Sequence, residues 1–321
     1  MQRNISIDIV KTIATLLVIC IHTGYPSAIG DYVVAFCRVS VPLFLIISGY
    51  YYQVVIDRKK TLSYYKKIFA LTFFSSVFYF IVNGVDLSYL KVFRWDKMLM
   101  FSFPVTGDHL WYLYSLINVL VILAFCHKIR YKLFYLIPLL LFGNYFLSFF
   151  PKFWLYRNFL FTSLPYFLLG MYIYKNYDSV ITLFKNKKRC IIFIVIGIIL
   201  QCIEVYLYKY LNLLYVRDHY LMTSILVIMI FGYALSVKLQ NENVLSIIGK
   251  RYSAYIYILH IFILSYYADI MKMFNLECNS FLYIKPLMIF LLTLLMSFII
   301  LESFKILKGI GVYISKSLLF L

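Results

Sequence analysis

Charge is scarce in this chain: of 321 residues only 14% are Asp, Glu, Lys or Arg, while 64% are hydrophobic. A soluble domain carries nearer a quarter charged and half apolar, so an ordinary soluble fold is excluded. Acids are scarcest, with 13 Asp and Glu against 31 Lys and Arg and a formal net charge of +18. In a soluble protein that imbalance suggests nucleic acid. Here the basic residues sit between apolar runs, where cytoplasmic loops and anionic headgroups account for them better. Gly (12) and Pro (7) are few. No stretch is polar or low-complexity enough for a disordered tail or linker, so one domain over residues 1–321 is expected. The six cysteines, Cys20, Cys37, Cys126, Cys190, Cys202 and Cys278, form no C-x-x-C pair and no Cys/His ligand spacing. A disulfide framework and a metal centre are therefore not expected.

What the chain does have is long apolar runs. Charged punctuation divides them into spans near 5–24, 33–53, 68–84, 109–126, 133–150, 159–175, 190–208, 219–237, 252–271 and 285–304, each near the length that crosses a bilayer. The expected fold is all-α, a polytopic transmembrane bundle of about ten helices. Segment 89–103 is interrupted by Lys91, Arg94 and Lys97, and its entry into the membrane is left open. The first run lacks the small-residue cleavage site of a signal peptide and carries Lys11 and His22, so it reads as a retained span. With the N-terminus inside, clusters such as Arg58-Lys59-Lys60, Lys187-Lys188-Arg189 and Lys250-Arg251 fall on the inner side. The positive-inside rule then places both termini in the cytoplasm.

Polar residues inside the spans need explanation. At 100° per residue, Asp8, Lys11, Thr15 and His22 share one helical face, with Lys11 and His22 roughly 16 Å apart along the axis. About ten strong apolar residues in this span supply roughly 3–6 kcal/mol of insertion energy. One acid or lysine at a span centre costs about 2.5–3.5 kcal/mol. The stripe should therefore face protein or a water-filled cavity. The plainer reading puts Asp8 and Lys11 at the interface, with Lys11 snorkelling and His22 in a structural hydrogen bond. In the second span Arg38 cannot shed its charge and needs a carboxylate, carbonyls or an anionic ligand. Pro42 frees the carbonyl of Arg38 four residues back, and Ser48-Gly49 suits close helix packing. Asp108-His109-Leu-Trp111-Tyr112 opens the fourth span, where Asp108 reads as an N-cap and the aromatics as interfacial anchors. Arg38, Asp108, His109, Arg217, Asp218, His219 and His22 all fall near outer helix ends, which suggests one outward-facing polar cavity. Glu204, Glu302 and His260 read as pairing partners within the membrane.

Lys11, ten residues, then His22 resembles the Arg/Lys-x10-His signature of membrane acyltransferase family 3. Arg38-x-x-x-Pro42, Phe44-x-x-x-Ser48-Gly49-Tyr50, His109-Leu-Trp111-Tyr-Leu and Ser253-x-Tyr255-x-Tyr257-x-Leu-His260 match further blocks in order. Each block is loose alone; the ordered set is specific and covers nearly the whole chain. Lysine stands at position 11 where arginine is commoner, keeping the charge and losing the bidentate fork.

The resemblance implies a ten-helix O-acyltransferase of the cell membrane, in an expected bacterial host. It would move an acyl group, usually acetyl, from cytoplasmic acyl-CoA to a hydroxyl of a surface polysaccharide or lipid-linked glycan. It would need no metal, and the esterase-like domain some members carry is not expected here. His22 is then the expected general base, with Arg38 and His109 donating to the oxyanion or the donor. Lys11, with Asp8 and Ser48, is expected on the CoA side, and Trp111, Asp108 and Tyr112 on the acceptor side. An exporter or solute carrier using the same polar stripe, and a membrane sensor or scaffold, are the rival classes.

Overall fold

In the computed structural model, residues 4–26, 29–86, 88–102, 104–150, 152–213, 217–274 and 281–317 are described; Cys278 lies outside them. Among these residues the fold is all-α, without strands. Seven helical stretches are long and apolar enough to cross a membrane: Ile5–Thr23, Ile29–Asp57, Thr61–Val82, Asp108–Phe125, Lys187–Tyr210, Ser253–Met273 and Leu282–Ser303. The other expected spans fall on shorter apolar helices. These are Lys132–Leu147 and Leu221–Ser236, and a π-turn Phe159–Ser163 that runs into Leu164–Lys175.

The helices are α1 (Ile5–Thr23), α2 (Ile29–Cys37), α3 (Ser40–Asp57), α4 (Thr61–Val82), α5 (Tyr89–Val92), α6 (Trp95–Phe101) and α7 (Trp111–Phe125). They continue as α8 (Ile137–Leu147), α9 (Leu164–Lys175), α10 (Tyr177–Leu183), α11 (Lys187–Tyr210), α12 (Leu221–Ser236), α13 (Val244–Arg251), α14 (Ser253–Met273) and α15 (Phe281–Ser317). The open segment 89–103 resolves into α5 and α6, far too short to span. The expected second span is two helices. Arg38 N and Val39 N turn back to Ala35 O and Phe36 O at 3.2 Å, a tightened turn, and Pro42 then sits in the first turn of α3, where its missing N–H costs nothing. α13, with Asn243 and Ser246 forming a capping box, was not anticipated.

Two close contacts fix the frame. A Cβ on Gly49 would lie 1.9 Å from Phe167 O, and one on Gly170 would lie 2.0 Å from Ile46 O. Each glycine thus receives the other helix's backbone, and α3 and α9 meet without side chains between them. Gly249 of α13 approaches α1 in the same way, its Cβ position 1.8 Å from Asp8 O. Around these seams Ile7, Val10 and Ala14 of α1 pack with Leu43 and Ile46 of α3, Tyr166 of α9 and Phe231 of α12 in one core. Outward, α4 presents Phe69, Phe73, Phe74 and Ile81, and α11 presents Ile191, Ile192, Ile199 and Ile203. Apolar faces of this extent suit lipid, not water.

Gly49→Ala and Gly170→Ala should each destabilise the bundle by about 1–3 kcal/mol, the cost of overpacking. Thermal unfolding in detergent checks this; unchanged midpoints would mean that α3 and α9 separate freely.

Candidate functional site

α1 and α3 run antiparallel, and both line three cavities in succession. At the C-terminal end of α1 lies a cavity of about 270 Å³ bounded by His22, Arg38, Val41, Pro42, Trp111, Arg157, Thr162, Asp218 and His219. Val18 and Val41 also border a second cavity of about 200 Å³, which holds Lys11, Ser48, Tyr112, Lys250 and Tyr257. Beyond Lys11, whose Nζ lies 5.2 Å from the Tyr51 ring centre, a third cavity of about 430 Å³ is bounded by Asn4, Tyr50, Tyr51, Arg58, Tyr177 and Lys238. From Val41 to Arg58 the α3 axis covers about 26 Å, close to the thickness of a hydrocarbon core.

The first cavity is built on one carboxylate. Asp218, just before α12, accepts from Arg38 Nη1 at 2.7 Å and from Arg157 Nη2 at 2.8 Å, with Arg157 Nε closing the fork on the other oxygen. A carboxylate in a membrane interior needs such partners. Two guanidiniums on one acid leave an excess positive charge in the cavity wall. Arg38 Nε is buried and without a hydrogen-bond partner. His219 is held by Ser224 Oγ (3.1 Å) and Tyr166 Oη (3.4 Å).

His22 opens into this cavity and is exposed there, while two buried histidines stand behind it. The His22 and His260 ring centres are 5.1 Å apart, and those of His260 and His109 5.3 Å. His260 Nδ1 donates to Tyr257 O at 2.7 Å, and His109 Nε2 donates to Ile258 O at 3.3 Å. These carbonyls fix both tautomers. The remaining nitrogens, His260 Nε2 and His109 Nδ1, are buried without partners. The Tyr79 ring braces His109 at 4.6 Å, and its hydroxyl donates to Ile258 O at 2.7 Å. Gly107, at φ 70°, is required here, since a Cβ would lie 3.1 Å from the Tyr79 ring and 3.2 Å from His109 Cε1.

Of the residues singled out from sequence, His22, Arg38 and Trp111 line the first cavity. Lys11, Ser48 and Tyr112 line the second, where Ser48 Oγ and Tyr112 Oη are 3.1 Å apart. Asp8 is buried and ion-paired with Lys11 at 3.0 Å. Asp108 lies in a separate small recess with Trp111, Trp154 and Arg157. Arg217, grouped with the cavity by its position near a helix end, is instead stacked between Phe149 and Tyr208, 4.1 and 4.0 Å from their ring centres. Glu204 is a pairing partner as expected, accepting from Tyr208 Oη (2.8 Å) and Leu221 N (2.9 Å). Arg157 was missed. It reads as a loop charge, and only the surrounding aromatic run Phe153-Trp154-Leu155-Tyr156 hints that the loop is not solvated.

The fold is a multi-pass helical bundle whose first cavity is lined by an exposed histidine and two guanidiniums. A family model described as an acyltransferase domain matches residues 4–301, and the chain belongs to that family, membrane acyltransferase family 3. It is an acyltransferase of the membrane, of a family that in general transfers O-acyl groups. Among curated proteins and solved structures, none matches the chain.

Removing the shared carboxylate leaves two half-buried guanidiniums unpaired. Asp218→Ala should therefore lose about 1–3 kcal/mol of stability, less than for a fully buried pair because the groups are partly solvated. Arg157→Leu should cost less in that background than in the wild type. Thermal unfolding of the four proteins in detergent measures both terms; additive losses would contradict the network.

Proposed function

We propose that the protein transfers an acyl group, acetyl in the simplest case, from cytoplasmic acyl-CoA to a hydroxyl of an extracytoplasmic or lipid-linked polysaccharide, with His22 as general base. The observation that carries this reading is the position of His22. Of the two histidines that line the first cavity, His22 is exposed there while His219 is buried with both ring nitrogens held, and His22 stands beside the Val18 and Val41 boundary through which a donor in the second cavity would reach it.

A sugar hydroxyl is a poor nucleophile at neutral pH. His22 takes its proton as the oxygen attacks the thioester carbonyl, a contribution of about 10²–10⁴-fold. Negative charge then develops on the carbonyl oxygen. In this reading the Arg38 guanidinium, which lines the cavity and is anchored through Nη1 on Asp218, receives it. One such donor is worth about 10²–10³-fold. As the tetrahedral intermediate collapses, the carbon–sulfur bond breaks, the ester forms, and the His22 proton passes to the departing thiolate. His260 and His109 support the ring of the base from behind, and the Trp111 indole with the polar rim of the cavity suits a sugar.

The orientation follows from charge. Arg58-Lys59-Lys60, Lys238 and Lys250-Arg251 lie at the helix ends remote from His22, so the positive-inside rule puts that face in the cytoplasm. The acceptor then approaches from outside, and the host membrane in this reading is the bacterial cell membrane.

Purified His22→Ala protein in lipid should unfold at the wild-type temperature and release CoA thiol about 10²–10⁴ times more slowly with a suitable acceptor. Turnover at the wild-type rate would remove His22 as the base. Acceptor movement across the membrane without thioester would favour a carrier.

A further inference from the structure

The third cavity is the largest of the three and has no part in the chemistry at His22, yet its walls are specific. Asn4 and Ile5 come from the start of α1, Tyr50, Tyr51, Val54 and Arg58 from the second half of α3, Tyr177 from α10, and Lys238 from just beyond α12. Ser6 Oγ donates to Val237 O at 2.7 Å, which ties the first turn of α1 to the segment carrying Lys238. Its volume of about 430 Å³ lies within the range of small-molecule sites, roughly 300–1,000 Å³.

Charge selects the ligand. Cations line all three cavities, but most already have acids. Arg38 and Arg157 share Asp218, Lys11 is paired with Asp8 at 3.0 Å, and Lys250 with Glu242 at 3.1 Å. Among the described residues Arg58 and Lys238 have no carboxylate partner and no acid lines their cavity. Two exposed cations without acids share this cavity with Tyr51 and Tyr177, a lining that suits an anion also carrying a planar ring, since guanidinium and ammonium groups bind phosphates and aromatic faces stack on bases. The Tyr51–Lys11 contact is the boundary with the second cavity, so a ligand seated here can extend an arm along α3 towards His22.

We infer that Arg58 and Lys238, with Tyr51, form the docking site for the phosphorylated nucleotide end of the thioester donor. Lys11 lies further along the arm with its charge held by Asp8. This assignment rests on the acyl-thioester reading. It moves the phosphate contact from Lys11 to the mouth of the passage and makes Lys11 a wall of the arm's path.

Two measurements on the full-length protein in nanodiscs test it. Adenosine 3′,5′-bisphosphate, followed by calorimetry, should bind the wild type and lose at least tenfold in affinity in the Arg58→Gln/Lys238→Gln variant, while Lys11→Gln changes it little. In turnover, the same double variant should raise KM for acetyl-CoA at least tenfold with kcat nearly unchanged. It should use a short acetyl thioester without a nucleotide as well as the wild type does. No bisphosphate binding, equal binding by wild type and double variant, or loss confined to Lys11→Gln would overturn the site. Binding as expected without turnover of any thioester would leave the site standing and contradict the transfer reaction instead.

Discussion

The structure depends on the closed contact between α3 and its neighbours. A helix carrying Lys11 and His22, and another beginning at Arg38, could not stand in hydrocarbon alone, where each such group costs several kcal/mol. They are tolerated because backbone packs on backbone at Gly49 and Gly170, and at Gly249 against Asp8. These seams bring α3, α9, α13 and α1 close enough to enclose polar space between them. Loosening them would expose the cavities to lipid tails, and the charged groups would lose their walls before they lost their partners.

Within that frame the charges are arranged by need. Asp218 holds Arg38 and Arg157 at one end, and Asp8 holds Lys11 in the middle. Arg58 and Lys238 at the other end are held by no acid among the described residues. From one end to the other the cations run from two that share one acid, through Lys11 on Asp8, to Arg58 and Lys238 without one. In the proposed reading this order would suit a donor whose charge lies at one end and whose reactive group lies at the other. The three histidines add a second polarity: His22 meets the cavity, while His260 and His109 are buried with tautomers set by carbonyls of α14.

Much of this was legible in the sequence because hydrocarbon imposes simple rules. The expected apolar runs fall on helices, since a helix satisfies its backbone within one segment in lipid, and the residues that broke the apolar pattern, His22, Arg38 and Lys11, do line the cavities. The failures have equally physical causes. α13 is eight residues long, too short for a periodic signal, and owes its place to one glycine. Arg157 and Arg217 look alike as loop charges, yet one joins the Asp218 network and the other is caught between two rings. Helix position gives the level of a residue in the membrane, but only packing decides which way its side chain turns. Asp108 illustrates the same limit, lying one recess away from the cavity that its neighbour Trp111 borders.

The central claim is that the passage carries a donor from the face of Arg58 to the base at His22, where an acceptor arrives from the opposite face. Proteoliposomes with a single protein orientation test it directly. Acyl-CoA is supplied on one side and a membrane-impermeant sugar acceptor on the other, and acylated product is measured. Product should form when acyl-CoA meets the Arg58 face and acceptor the His22 face, and should be absent in the reverse arrangement. Equal product in both arrangements, or product only in the reverse one, would contradict the account.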